Sequence, residues 1–138
     1  MNGRYLLDNS AMQRRRKPEA ATLLDELSER GLLAVCGPVE MEVLYSARNV
    51  GEAVRMRQLL RGFDYLPMPD EVWDRALEVQ HFAITKGFHR ALSMADLLIA
   101  ATAERHSATV LHYDADFDMI ATITEQPMRW VAPPGSAD

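Results

Sequence analysis

The chain has 138 residues, 48% of them hydrophobic, and sets 15 basic against 20 acidic side chains for a formal net charge of −5. That length gives one domain with one core. No stretch approaches the roughly 18 apolar residues of a membrane span, and Met1 to Asp8 has no signal-peptide run, so the expected location is the cytosol. The one cysteine, Cys36, follows the apolar run Leu32 to Val35 and reads as a small core residue, which excludes disulfide and thiol chemistry.

Arg4 to Leu7 reads as a short buried strand ending at Asp8, with Ser10 placed to cap the helix that follows. Pro18 suits a first helical turn, Leu23, Leu24 and Leu27 recur at helical spacing, and Gly31 stops the helix. Leu32 to Cys36 is a second buried strand. Gly37-Pro38 breaks it and starts a helix carrying Glu40, Glu42, Leu44 and Ala47. A helix over about Glu52 to Phe63 follows, then a short strand at Tyr65-Leu66. Asp70 is expected to cap a long helix whose apolar period runs to Gly87. Ser93 is a good N-cap with Asp96 three residues on, as in a capping box, and Leu97 to Ala101 is apolar on nearly every side, so that helix is expected to be buried. Ala108 to Leu111 is a strand leading into Asp114 and Asp116, Met128 to Val131 an edge strand, and residues 133–138 a flexible tail on a domain of residues 1–132.

Strands alternating with helices predict a three-layer α/β/α sandwich around a mostly parallel sheet, whose ligand site lies beyond the carboxyl ends of the strands. Asp8 and Asp114 fall at two such ends, and Glu42 and Asp96 near the starts of helices. Each acid alone has an ordinary explanation: an Asx turn at Asp8, a capping box at Asp96, a solvated turn at Asp114 and Asp116. Together they come from four separate segments that such a fold gathers at one edge. Two carboxylates about 4 Å apart repel by roughly 4 kcal/mol at an effective dielectric of 20, so a cluster needs protons or cations. An all-oxygen set without clustered His or Cys favours Mg²⁺, with Mn²⁺ as an alternative, and carboxylate-held Mg²⁺ is suited to phosphodiester hydrolysis. Setting those five acids aside leaves fifteen of each sign, which makes the surplus negative charge equal to the expected site. Periodicity leaves Glu40 and Glu42 as alternatives, since residues two apart on a helix point to nearly opposite sides.

These residues resemble the PIN-domain ribonucleases, and within them the VapC-type toxins of bacterial toxin-antitoxin pairs. Tyr5-Leu6-Leu7-Asp8-Asn9-Ser10-Ala11 is similar to that family's opening strand with its first metal-binding Asp, although Asn9 stands where many relatives have Thr. Glu42 to Arg48 is similar to the second motif and selects Glu42 over Glu40; Ser93 to Ala103 is similar to the third; Val110 to Phe117, with Phe117 as a core anchor, is similar to the fourth. The resemblance implies Mg²⁺- or Mn²⁺-dependent cleavage of structured RNA such as tRNA or ribosomal RNA, a homodimer, and inhibition by a cognate antitoxin.

In the resulting expectation Asp8, Glu42, Asp96 and Asp114 hold one or two Mg²⁺ ions, Asp116 is an outer or second-metal ligand, and Ser10 orients bound water that attacks phosphorus to leave 5′-phosphate ends. Arg14, Arg15, Arg16, Arg48 and Arg90 are the candidates for touching RNA or antitoxin. His81, His89, His106 and His112 are scattered, and Trp73 and Trp130 read as core or interface residues. The rival readings are a DNA-cleaving or structure-specific nuclease of the same fold and a non-catalytic module that binds RNA or protein.

Overall fold

The computed structural model describes residues 3–138. Five strands, β1 (Tyr5–Leu7), β2 (Leu33–Val35), β3 (Asp64–Tyr65), β4 (Thr109–His112) and β5 (Met128–Trp130), form one sheet in the order β3-β2-β1-β4-β5, and every neighbouring pair is parallel. Seven helices alternate with them: α1 (Asn9–Met12), α2 (Pro18–Glu29), α3 (Gly37–Tyr45), α4 (Val50–Leu60), α5 (Asp70–Lys86), α6 (Met94–Arg105) and α7 (Asp116–Thr124). From β1 the order runs outward through β2 to β3, then returns to β4 on the other side of β1. Right-handed crossovers in opposite directions put their helices on opposite faces, which makes the fold a three-layer sandwich. The reversal lies between β1 and β4, and the crevice it opens is where the acids stand.

Parallel strands covered on both faces should be apolar throughout, and Leu6, Leu7, Ala34, Val35, Val110 and Leu111 are all buried. In α6 every residue from Asp96 to Ala103 is buried, the all-round burial that its composition predicts. Arg75 of α5 reaches Glu104 of α6 through Nε at 2.7 Å and also pairs with Glu78, tying the outer helix to the buried one.

Several boundaries differ from the sequence reading for local reasons. Asp8 itself, not Ser10, caps α1, its carboxylate accepting the Ser10 backbone N–H at 2.9 Å. Asn49 caps α4, accepting from the Glu52 N–H at 2.8 Å, so that helix starts at Val50. Asp70 is the first residue of α5 and not its cap, because Pro69 occupies the extended cap position. The short strand before the prolines is Asp64–Tyr65, exposed at the sheet edge. Helix α7 has no counterpart in the sequence reading. The C-terminal residues are held in place: Tyr113 Oη donates to Asp138 Oδ1 at 2.7 Å and accepts the Ala137 N–H at 2.9 Å, and Ala137 is buried.

Candidate active site

Asp8 follows β1 at the middle of the sheet, and its backbone N–H continues the ladder by donating to Leu111 O at 2.9 Å. Its Oδ2 accepts both the N–H of Ser10 at 2.9 Å and the Ser10 hydroxyl at 2.5 Å. That hydroxyl oxygen in turn accepts the Tyr113 N–H at 2.9 Å, so Ser10 links the ends of β1 and β4. The Ser10 hydroxyl thus touches Asp8 directly and orients its carboxylate. The other oxygen, Asp8 Oδ1, is buried and has no hydrogen-bond partner among the described residues.

Asp96 and Asp114 follow the same plan. Asp96 closes the capping box, accepting the Ser93 N–H on Oδ2 at 3.4 Å while its own N–H donates to Ser93 Oγ at 3.0 Å. Asp114 accepts the Asp116 N–H on Oδ1 at 2.9 Å. Each of the three aspartates thus commits one oxygen to local backbone and keeps the other. Carboxylate oxygens of Asp96, Asp114 and Asp116 lie within 4.8 Å of one another.

Glu42 and Asp8 fall outside that closest trio but face its charges. Burial raises the Glu42 carboxyl to about 7, with the charges of Asp8, Asp96 and Asp114 adding to the effect. Burial also raises Asp96 to about 6, helped by Asp8 and Asp114 and opposed by the Ser93 hydrogen bonds. Asp8 is raised as well, chiefly by burial, against the lowering influence of Ser10. Burial and then Asp114 raise Asp116. Glu40 points elsewhere, lining a pocket with Leu44, Arg57, Leu60 and Arg61 between α3 and α4. The geometry therefore separates Glu42 from Glu40, which periodicity left open.

Gathered carboxylates, of which Asp8, Glu42, Asp96 and Asp116 resist ionisation, with an uncommitted oxygen on each of Asp8, Asp96 and Asp114 and one of those oxygens buried without a partner among the described residues, fit a hard divalent cation: it supplies the missing positive charge and takes oxygen ligands. Neighbouring thiol chemistry is absent. Cys36 is fully buried at the end of β2, and burial, with the charges of Asp8, Glu40 and Glu42, pushes its thiol up to about 12.

The basic candidates do not converge on the acids. The Arg14 guanidinium lies 4.4 Å from the centre of the Tyr113 ring and donates to Ser10 O and Ala137 O, so it clamps the chain terminus onto β4. Arg48 is engaged by Glu52 at 2.9 Å, and Arg15 donates to Met12 O at 3.0 Å. Arg16 and Arg90 are exposed, with no hydrogen bond or ion pair among the described residues. His112 is the residue that sequence reasoning undervalued: fully buried, it accepts the Asp114 N–H on Nδ1 at 3.1 Å. Its only sequence signal was its place two residues before an acid at a strand end.

The PIN-domain sequence profile matches residues 5–123. The chain belongs to the PIN-domain family. The chain is 46% identical over 138 residues to ribonuclease VapC21 of Mycobacterium tuberculosis, covering 99% of this chain and 100% of that protein. To ribonuclease VapC51 of the same species it is 40% identical over 135 residues, 98% of each chain. Within the PIN domains it is thus a VapC-type protein. The fold is also that of VapBC2 from Rickettsia felis, solved with a DNA fragment from its promoter, at a TM-score of 0.75 and 18% identity over 91% of this chain and 97% of that one. In this PIN domain the four motif acids and Asp116 all lie at the crevice beside β1, and Phe117 is fully buried beneath it.

Proposed function

We propose that the protein is a Mg²⁺-dependent endoribonuclease, the toxin of a toxin-antitoxin pair, acting on structured RNA such as tRNA or ribosomal RNA. The observation that carries this reading is the set of carboxylates from four segments, three of them each leaving one oxygen uncommitted at the strand-order reversal. Its relatives over the full chain are named ribonucleases. Asp8, Asp96 and Asp114, with Glu42 and Asp116 beside them, would hold the ion, and Mn²⁺ would serve in its place. When bound, a divalent cation would make a coordinated water more acidic and would stabilise negative charge on the reacting phosphate. The chain's own residues do the rest. Ser10 keeps Asp8 turned inward, the capping box keeps Asp96 at the start of a rigid buried helix, and the Asp116 N–H keeps Asp114 from swinging away.

Arg15, Arg16 and Arg55 line a groove of about 460 Å³ with Glu52 between α4 and the turn after α1, a surface suited to phosphates of RNA or to an antitoxin's acidic residues. Arg48, paired with the groove's Glu52, and Arg90 are also exposed and remain candidates for the same contacts. The inferred homodimer is supported by the apolar surface of α5 and α6, where Trp73, Leu77 and Met94 are 48%, 62% and 71% exposed.

The test is cleavage of total cellular RNA, with single-stranded DNA in parallel, by wild-type protein in Mg²⁺ and in EDTA and by the Asp96→Asn variant. Discrete RNA cuts bearing 5′-phosphates, lost with chelator and with the variant, are expected. Products ending in 2′,3′-cyclic phosphate, or cleavage of DNA alone, would sink the reading.

A further inference from the structure

We propose that His112 is a positioning residue for Asp114: its unprotonated Nδ1 holds the Asp114 backbone N–H and so fixes where the Asp114 carboxylate meets Asp96 and Asp116. The inference rests on the reading of those carboxylates as a cation site.

His112 is the last residue of β4 and has no exposed surface. It therefore cannot touch a substrate, and its action must pass through a neighbour. The neighbour is settled by hydrogen-bond chemistry. A backbone N–H can only donate, so the Nδ1 that lies 3.1 Å from Asp114 N must carry a lone pair, and the proton of the neutral imidazole sits on Nε2. The ring is held in that orientation by stacking, its centre 5.1 Å from the Phe117 ring and 5.0 Å from the Trp130 ring.

The second nitrogen supports the same tautomer. Nε2 is buried with no hydrogen-bond partner among the described residues and lies 3.9 Å from Asp118 Oδ1, too long for a direct bond but within the reach of its charge. Asp118 is itself fixed, since its Oδ2 accepts the Trp130 indole N–H at 3.0 Å. A carboxylate on that side favours a hydrogen on Nε2. The opposite tautomer would set two hydrogens against each other at Asp114 and turn a lone pair toward the Asp118 charge.

Asp114 is thereby gripped twice, at its N–H by His112 and at Oδ1 by the Asp116 N–H. A phenylalanine ring would fill the same space between Phe117 and Trp130, yet leave the Asp114 N–H without an acceptor. An asparagine carries an oxygen close to where Nδ1 lies, and so keeps the acceptor while losing much of the ring.

The experiment compares Mn²⁺ binding by titration calorimetry in the full-length wild type, His112→Phe and His112→Asn, with melting temperatures of each. It adds a ¹⁵N spectrum of the histidine side chains of the wild type. Expected are a loss of about 10–100-fold in Mn²⁺ affinity for His112→Phe, the range typical of groups that orient a ligand, and recovery to within a few-fold in His112→Asn. The spectrum should show His112 protonated on Nε2 alone, a result that requires no variant to fold. A folded His112→Phe protein that binds Mn²⁺ like the wild type would overturn the inference, as would a His112 protonated on Nδ1. Absence of Mn²⁺ binding in the wild type itself would overturn the cation reading and this inference with it.

Discussion

Glu42 makes no side-chain hydrogen bond or ion pair among the described residues, and its carboxyl, raised to about 7, faces the charges of Asp8, Asp96 and Asp114. Replacing it with glutamine should therefore separate stability from function. In EDTA the Glu42→Gln protein is expected to melt a few degrees higher than the wild type, and in Mg²⁺ to gain less from the ion, both read by thermal denaturation. The same repulsion sets a pH dependence. A carboxyl whose folded pKa lies above its unfolded value favours the folded state at low pH, and the advantage is lost as pH rises through the folded value. With Asp96 moved from 3.8 to about 6 and Glu42 from 4.5 to about 7, the metal-free protein should lose melting temperature as the pH is raised from about 4 to about 7, and Mg²⁺ should restore most of it at the upper end. For RNA cleavage, Asp8→Ala and Asp114→Asn are expected to cost more than the about 10–100-fold typical of supporting groups, measured at saturating Mg²⁺. Asp8, Asp96 and Asp114 were legible because each stands beside a strand end or helix start, where sequence punctuation is strongest, whereas Glu42 lies within α3 and only the family resemblance chose it over Glu40. His112 was not, since a histidine in an apolar strand reads like any other core residue until its hydrogen-bond partner is seen.

Among the elements, the start of α6 carries the most direct coupling between folding and site. Ser93 caps the helix and, through the reciprocal bond, aims Asp96. Ser93→Ala should cost about 1 kcal/mol in denaturant unfolding, the usual worth of such a cap, and should also weaken Mn²⁺ binding because Asp96 loses its guide. Gly87, with φ of 82°, stops α5 where the sequence marks it, and Pro18 starts α2 likewise. Helix α7 escaped the sequence reading because Asp114, Asp116 and Asp118 alternate through its beginning and drew the segment toward a turn. In place, Asp116 and Asp118 occupy its first turn, where negative charge suits the helix dipole, and Phe117 and Ile120 supply its buried face. The contacts of the tail are likewise invisible in the local sequence. Pro133 to Asp138 is short, polar and proline-rich, and nothing local reveals that Tyr113 and Arg14 hold it. Tyr113→Phe should release it, seen as faster amide exchange at Ala137.

At the scale of the whole molecule, alternation of strands and helices was enough for the α/β class, while strand order was not, because apolar periodicity says which faces are covered and nothing about which strand lies alongside. The exposed Trp73, Leu77 and Met94 lead to the expectation that Leu77→Asp shifts a dimer to monomers in sedimentation velocity without changing the circular dichroism spectrum. The sheet order has a further consequence for how the site comes into being. Tyr5 pairs with Leu33 on one side but with Thr109 on the other, and Asp8 donates to Leu111, so the second side of β1 waits for a strand made about a hundred residues later. Asp114 emerges later still. During synthesis the growing chain therefore carries scattered, solvated acids and no cluster, and fragments that stop before β4 should leave RNA intact, so that nuclease chemistry arises only with closure of the sheet.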